Sequence, residues 1–164
     1  MNIEQECKII NVPGVSNIWY TAMANITLPG QVYTNSIISE DLVSSAPLNY
    51  IRPVHDTLAF GSKKNNSDQG TYNEHQLNFD FNQDTASIMK ALEKMTNIRQ
   101  FVIFKDHKGQ FRFMSNALIT YNTDTGTIVS SGNTPVLLSA KHKSPIYFYT
   151  GTKTIAADGT LSFT

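Results

Sequence analysis

Residues 101–114, "FVIFKDHKGQFRFM", carry the clearest local pattern in the chain. Two apolar runs flank a polar tetrad at 106–109, whose last residue, Gly109, can adopt the positive φ that closes a short turn. The pattern predicts a β-hairpin with strands at 98–105 and 110–115. Phe111 and Phe113 then share one face and Arg112 lies on the other. Because the run "FVIF" is apolar on both faces, its strand is predicted to be central and covered on both sides.

The residues before the hairpin predict a half-buried strand and then the one clear helix. In "HQLNFDFN" (75–82), apolar and polar residues alternate, as in a strand with one buried face. In "DTASIMKALEKMTN", apolar residues recur with the period of a helix near 85–96, which Asp84 or Thr85 can cap. The apolar stripe is narrow, as expected of a helix that lies on a sheet. The apolar positions are Leu77, Phe79 and Phe81 in the strand, and Ile88, Leu92 and Met95 in the helix.

Short apolar runs separated by Gly, Pro and Asn make the rest of the chain β-rich. Strands are predicted at "CKIINV", "NIWYTAMANITL", "ALITY", "TIVSS", "PVLLSAK" and "IYFY", and a closing hairpin at Asp158 and Gly159. The predicted fold class is mainly β, a β-sandwich or small barrel, with one flanking α-helix. The 164 residues suit a single domain, 1–164.

The segment "GSKKNNSDQGTYNE", residues 61–74, is the longest polar stretch, with Tyr72 as its only apolar residue. Without apolar periodicity it is predicted to be a long polar loop. Structureless loops of this length are uncommon in compact domains and often functional. A simple loop tip between two strands is the alternative.

The charge balance limits the classes of partner that are expected. Thirteen Lys and Arg balance thirteen Asp and Glu, whereas a free nucleic-acid-binding domain is normally basic. Charged residues are 16 % of the chain, so Asn, Ser and Thr supply much of the polarity. Such a surface is easily desolvated and suits packing against copies of itself; a neutral surface without that role is equally compatible. No signal peptide and no apolar stretch of roughly 20 residues is found. This predicts a protein that is made and kept in a cytoplasm, or leaves it by a route other than secretion, without membrane contact.

Catalytic and metal-binding signatures are not found in the sequence. A single cysteine, Cys7, excludes an internal disulfide and multi-cysteine metal sites. The histidines lack the spacing of metal ligands, and no nucleophile elbow or phosphate-binding loop is present. We therefore predict no enzyme activity, no cofactor and no metal; a hydrolase with paired carboxylates, such as Asp56 and Asp80, is the remaining enzyme alternative. The histidines are His55, His75, His107 and His142.

The aromatic residues raise a second class of function. Trp19 and Tyr149 could stack on a sugar, as in a carbohydrate-binding β-sandwich of a fibre or receptor-binding protein. Their positions on predicted strands favour core or interface packing instead.

Residues 72–151 resemble structural proteins of phage tails and necks. The shared order is a polar loop, the strand "HQLNFDFN", one helix, the hairpin and further strands, as in tail-tube and tail-hub proteins. The run "FVIFKDHKGQFRFMSNALITYNTDTG" is similar to tail and neck proteins of phages of Bacteroidetes, crAss-like phages among them.

The resemblance implies a tail-tube-like subunit that assembles into a homomeric ring of the DNA-conducting tail, as tube, hub, terminator or neck ring. Loop 61–74 would reach a neighbouring subunit. Lys63 and Lys64 would pair with carboxylates of that neighbour, and Asn65 and Asn66 would bind its backbone. The implied partners are copies of the chain, other tail, neck or portal proteins, and passing genomic DNA without sequence recognition. The implied location is the virion, assembled in the host cytoplasm. The predicted strands show no acidic stripe of the kind that usually lines such a tube.

Overall fold

The computed structural model describes residues 15–28, 37–38, 42–51, 58–82, 86–121, 133–143 and 146–163. The strands predicted at "CKIINV" and "TIVSS" lie outside these residues. So do Cys7, His55, Asp56 and the two candidate capping residues, Asp84 and Thr85.

The described part of the chain is mainly β, with a single α-helix and one short 3-10 turn (Met23–Asn25), which confirms the predicted fold class. The helix α1 (Ala86–Thr96) lies within the range predicted for it. The strands are β1 (Val15–Ala22), β2 (Ile26–Thr27), β3 (Ile37–Ile38), β4 (Val43–Ser44), β5 (Asn49–Ile51), β6 (Ala59–Ser67), β7 (Gly70–Asn82), β8 (Gln100–Asp106), β9 (Phe111–Tyr121), β10 (Asn133–His142), β11 (Tyr147–Tyr149), β12 (Thr154–Ile155) and β13 (Leu161–Ser162).

One nine-stranded sheet organises the fold, in the order β5-β1-β8-β9-β10-β7-β6, with β11 beside β9 and β3 beside β11. Two small two-stranded sheets, β2–β4 and β12–β13, accompany it. The large sheet curls: the rings of Phe60 on β6 and Phe104 on β8 are 4.9 Å apart, although β7, β10 and β9 separate these strands in the sheet. The curl encloses an apolar interior.

The hairpin of β8 and β9 has the predicted turn, with Gly109 at φ 81°. The strands predicted separately at 110–115 and at "ALITY" are one strand, β9, which corrects that prediction. Asn116 has φ 54°. Between the pairs Val102–Met114 and Gln100–Ala117, β9 contains one more residue than β8. This β-bulge bends β9 without ending it, because asparagine tolerates the left-handed conformation.

The run "FVIF" in β8 separates two apolar clusters. Val102 and Phe104 belong to the cluster inside the curl, which includes Leu92 and Met95 of α1. Phe101 and Ile103 belong to a second cluster on the opposite face. The prediction of a central strand covered on both sides is therefore confirmed, and α1 lies on the sheet as predicted.

The prediction of a long loop at 61–74 is wrong. These residues form the end of β6 and the beginning of β7, paired from Gly61–Gln76 to Ser67–Gly70 around a turn at Asp68 and Gln69. Gly70 has φ 117°, which suits a glycine at a tight turn. The strands lack apolar alternation because most of their side chains are exposed. Periodicity therefore could not reveal them.

Candidate subunit interface

The hairpin at 61–74, which we call the ribbon, belongs to the main sheet, and its tip extends past the end of the neighbouring strand β10. Strand β10 pairs with β7 only as far as the pair His142–Asn73. The three ribbon pairs Asn65–Tyr72, Asn66–Thr71 and Ser67–Gly70 therefore extend past the end of β10. Among the described residues, β6 pairs with β7 alone. Most side chains of the ribbon are thus exposed, and no strand of the described ranges pairs with the outer edge of β6.

The four predicted interface residues divide between the two faces of the ribbon. Side chains alternate along a strand, and directly paired residues share a face. Lys64 and Asn66 continue the face that carries Phe60, whereas Lys63 and Asn65 lie on the other face. All except the half-buried Asn65 are exposed. The ribbon therefore offers one lysine and one asparagine on each side.

Side-chain hydrogen bonds stiffen the ribbon from within. The Asn65 amide donates to a Glu74 carboxylate oxygen at 3.2 Å, and the Thr71 hydroxyl donates to Asn66 Oδ1 at 3.0 Å. The prediction that these asparagines bind a neighbour's backbone stays a prediction, and each has one internal bond already. The lysines differ in their surroundings: Lys63 lies opposite Glu74 in the ladder, and Lys64 lies opposite Asn73.

Two histidines meet at the base of the ribbon. His75 on β7 is 0 % exposed, and its ring centroid is 5.5 Å from that of His142, the last residue of β10. His75 also stacks on Phe60 at 6.2 Å, and His142 meets the Tyr147 ring edge-on at 5.9 Å. Sequence spacing could not pair them, because β7 and β10 are neighbours in the sheet but distant in the chain. Within the ranges described above, no group of three His, Cys, Asp or Glu residues could hold a metal ion.

Stability is expected to fall as the pH drops through the range in which His142 titrates. Burial, and then the charge of His75, lower the pKa of His142 from 6.5 to about 4. The unfolded chain takes up this proton below about pH 6.5, whereas the folded chain does so only near pH 4. The resulting stability is present above pH 6.5 and is lost towards pH 4. We expect a loss of about 1–2 kcal/mol, since partial exposure screens the shift.

Urea unfolding at pH 7.5, 5.5 and 4 measures this loss. His142→Phe, which keeps a ring but cannot titrate, should show a smaller decrease over the same range. An equal decrease in the variant and the wild type would show that other groups cause the pH dependence.

A groove of about 670 Å³ lies between α1 and the curled sheet. Its apolar floor includes Phe79, Leu92 and Ile119, and its polar lining includes Tyr20 and Asp158. Burial raises the pKa of the Tyr20 hydroxyl. Hydrogen bonds from the backbone N–H and hydroxyl of Thr160 lower the pKa of Asp158, so this exposed carboxylate stays charged at neutral pH. The alternation of apolar and polar residues along β7 predicts that Phe79 is on a buried face. No local pattern in the sequence predicts the rest of the groove lining, because it comes from segments distant in the chain.

The aromatic residues proposed for sugar stacking are buried. Trp19 is 1 % and Tyr149 is 2 % exposed. The Trp19 Nε1–H donates to the Gly159 carbonyl at 2.8 Å, and the Tyr149 hydroxyl donates to the Thr152 carbonyl at 2.9 Å. Neither ring presents a face to a sugar. Both residues instead belong to the second apolar cluster.

Comparison with protein-family models, curated proteins and solved structures finds no match to this chain. Among the described residues, no helix has the length and apolar character needed to cross a membrane.

Proposed function

We propose that the protein is a non-enzymatic structural subunit of a phage tail or neck, and that it assembles into a homomeric ring in which the ribbon contacts a neighbouring copy. The observation that carries this proposal is the projection of the ribbon past the end of β10. The tail and neck resemblance of residues 72–151 supplies the class of particle. Other tail, neck or portal proteins would bind the ring, and genomic DNA would pass without sequence recognition.

The ribbon has little stabilising contact of its own. Its side chains beyond β10 are mostly exposed and polar, and an isolated two-stranded hairpin is marginally stable in water. Its outer edge carries backbone N–H and C=O groups that could pair with another strand. Lysines on an edge strand discourage indiscriminate pairing, and Lys63 and Lys64 occupy that position. These features favour docking on one specific partner surface.

Formal neutrality favours the same conclusion. The chain carries thirteen basic and thirteen acidic residues, so copies approach one another without strong net repulsion. A ring also repeats each contact, so pairs that contribute about 0–1 kcal/mol singly become significant together. The carbohydrate-binding alternative is less favoured, because Trp19 and Tyr149 are buried.

Shortening the ribbon should prevent assembly without unfolding the subunit. Deleting Asn65, Asn66, Thr71 and Tyr72 removes two complete pairs of the ladder. Because two residues leave each strand, the alternation of faces is preserved. The turn at Ser67–Gly70 then follows the pair Lys64–Asn73 directly. We expect native circular dichroism, and a monomer in light scattering under conditions where the wild type forms rings visible by electron microscopy.

A full-length variant with serine at the same four positions is the control for length. It should keep part of the assembly, because the ribbon still reaches the neighbour. Normal rings from the shortened variant would contradict the proposed role of the ribbon.

A further inference from the structure

The ribbon and the groove lie towards opposite ends of β7. Lys64 pairs with Asn73 near the beginning of β7, and Phe79 lies in the groove floor further along. At about 3.4 Å per residue, Asn73 and Phe79 are about 20 Å apart. A lysine side chain is much shorter, so Lys64 cannot reach the groove of its own chain. A second copy placed head to tail along β7 brings the two together.

The two surfaces also carry individual residues of opposite charge, although Asp68 and Glu74 balance Lys63 and Lys64 over the ribbon as a whole. Lys64 is exposed and lies opposite a neutral residue, Asn73, whereas Lys63 lies opposite Glu74. The described residues that line the groove include no Lys, Arg or His, and Asp158 is their only Asp or Glu. An exposed cation therefore lies on the ribbon and an exposed carboxylate lies in the groove lining.

The groove has a lining suited to a lysine side chain. Tyr20 and Tyr50 line it together with Asp158. The methylene stem of a lysine packs on apolar and aromatic surface while its ammonium stays near solvent, and aromatic faces attract the cation further. The turn that carries Asp158 is anchored, because the Trp19 Nε1–H donates to the neighbouring Gly159 carbonyl.

We propose that the groove of one copy receives the ribbon of the next, with the Lys64 ammonium beside the Asp158 carboxylate. This inference depends on the proposed ring and names the surface that the ribbon contacts. The contact is head to tail and joins two different surfaces. Contacts of this kind close into a ring when the rotation between copies permits closure.

Exchange of the two charges tests the pairing. We expect K64E and D158K each to raise the protein concentration needed for half-maximal assembly at least about tenfold, because each places like charges together. The double variant K64E/D158K should return to within about threefold of the wild type, as expected for directly interacting residues. Light scattering across a concentration series measures the midpoint.

Matched variants control for folding and for position. D158N keeps a side-chain oxygen that can accept from Thr160 but removes the charge, so it should weaken assembly while the turn stays folded. K63E combined with D158K should not restore assembly, because Lys63 lies on the other face of the ribbon. If the wild type forms rings but the double variant K64E/D158K does not, the pairing of Lys64 with Asp158 is overturned. The proposed ring is unaffected by that result. If the wild type forms no ring, the proposed function fails as well.

Discussion

Phe113→Ala is expected to lower the free energy of unfolding by about 3–5 kcal/mol. Phe113 is 0 % exposed at the centre of the second apolar cluster. Its ring lies 5.2 Å from the Phe101 ring and 5.2 Å from the Tyr147 ring. Truncation removes both contacts and leaves a cavity between strands that the sheet holds in place, so the cluster cannot collapse to fill it. Urea unfolding at pH 7.5 measures the loss.

Arg112→Ala, one position earlier on β9, is the matched control and should cost less, about 1–2 kcal/mol, because it removes a charged hydrogen bond but opens no cavity in an apolar cluster. The Arg112 guanidinium donates to Asp106 at 3.0 Å and lies over the Phe148 ring at 4.6 Å. Asp106 retains its hydrogen bonds from the backbone N–H groups of Lys108 and Gln110. Comparable losses in the two variants would show that the assignment of faces along β9 is mistaken.

Gly151→Ala is expected to destabilise the protein by about 1–3 kcal/mol, because it overpacks a closed site. A Cβ on Gly151 would lie 2.6 Å from the Tyr149 hydroxyl oxygen and 2.7 Å from Cζ of its ring. Tyr149 cannot move away cheaply, because the ring is 2 % exposed and its hydroxyl donates to the Thr152 carbonyl. The thermal unfolding midpoint, measured beside a denaturant titration, reports the change.

Gly61→Ala provides the comparison, because a Cβ there meets nothing within 4 Å. Alanine restricts the unfolded chain, so this variant should be neutral or more stable by up to about 1 kcal/mol. Equal destabilisation at the two glycines would mean that glycine flexibility, and not the Tyr149 contact, explains the effect at Gly151.

The elements that were predicted correctly are those whose signal is local. Gly109 closes the hairpin turn with the expected positive φ, and alternation along β7 buries Leu77 and Phe79 as expected. In α1, Leu92 and Met95 are buried and Ile88 packs beside them. Each pattern involves neighbours within a few residues, so the polarity of the side chains alone decides which face is buried.

Two of the errors in the fold have one physical cause. In β9, a bulge at Asn116 interrupts the alternation, so one strand was predicted as two. In the ribbon, the strands bury almost nothing and are held by backbone pairing and by bonds such as Asn65–Glu74. Backbone hydrogen bonds do not depend on side-chain polarity. A strand without a buried face therefore leaves no periodic pattern in the sequence.

Local sequence patterns are enough to give the β-rich class, the one α-helix and the central hairpin. The tertiary structure alone decided that the ribbon is paired, that Lys63 and Lys64 lie on opposite faces, and that Trp19 and Tyr149 are buried. It also brought His75 to His142, and Asp158 to the groove lined by Phe79. The reason is that these arrangements follow from the order and curl of the sheet, which join segments distant in the chain.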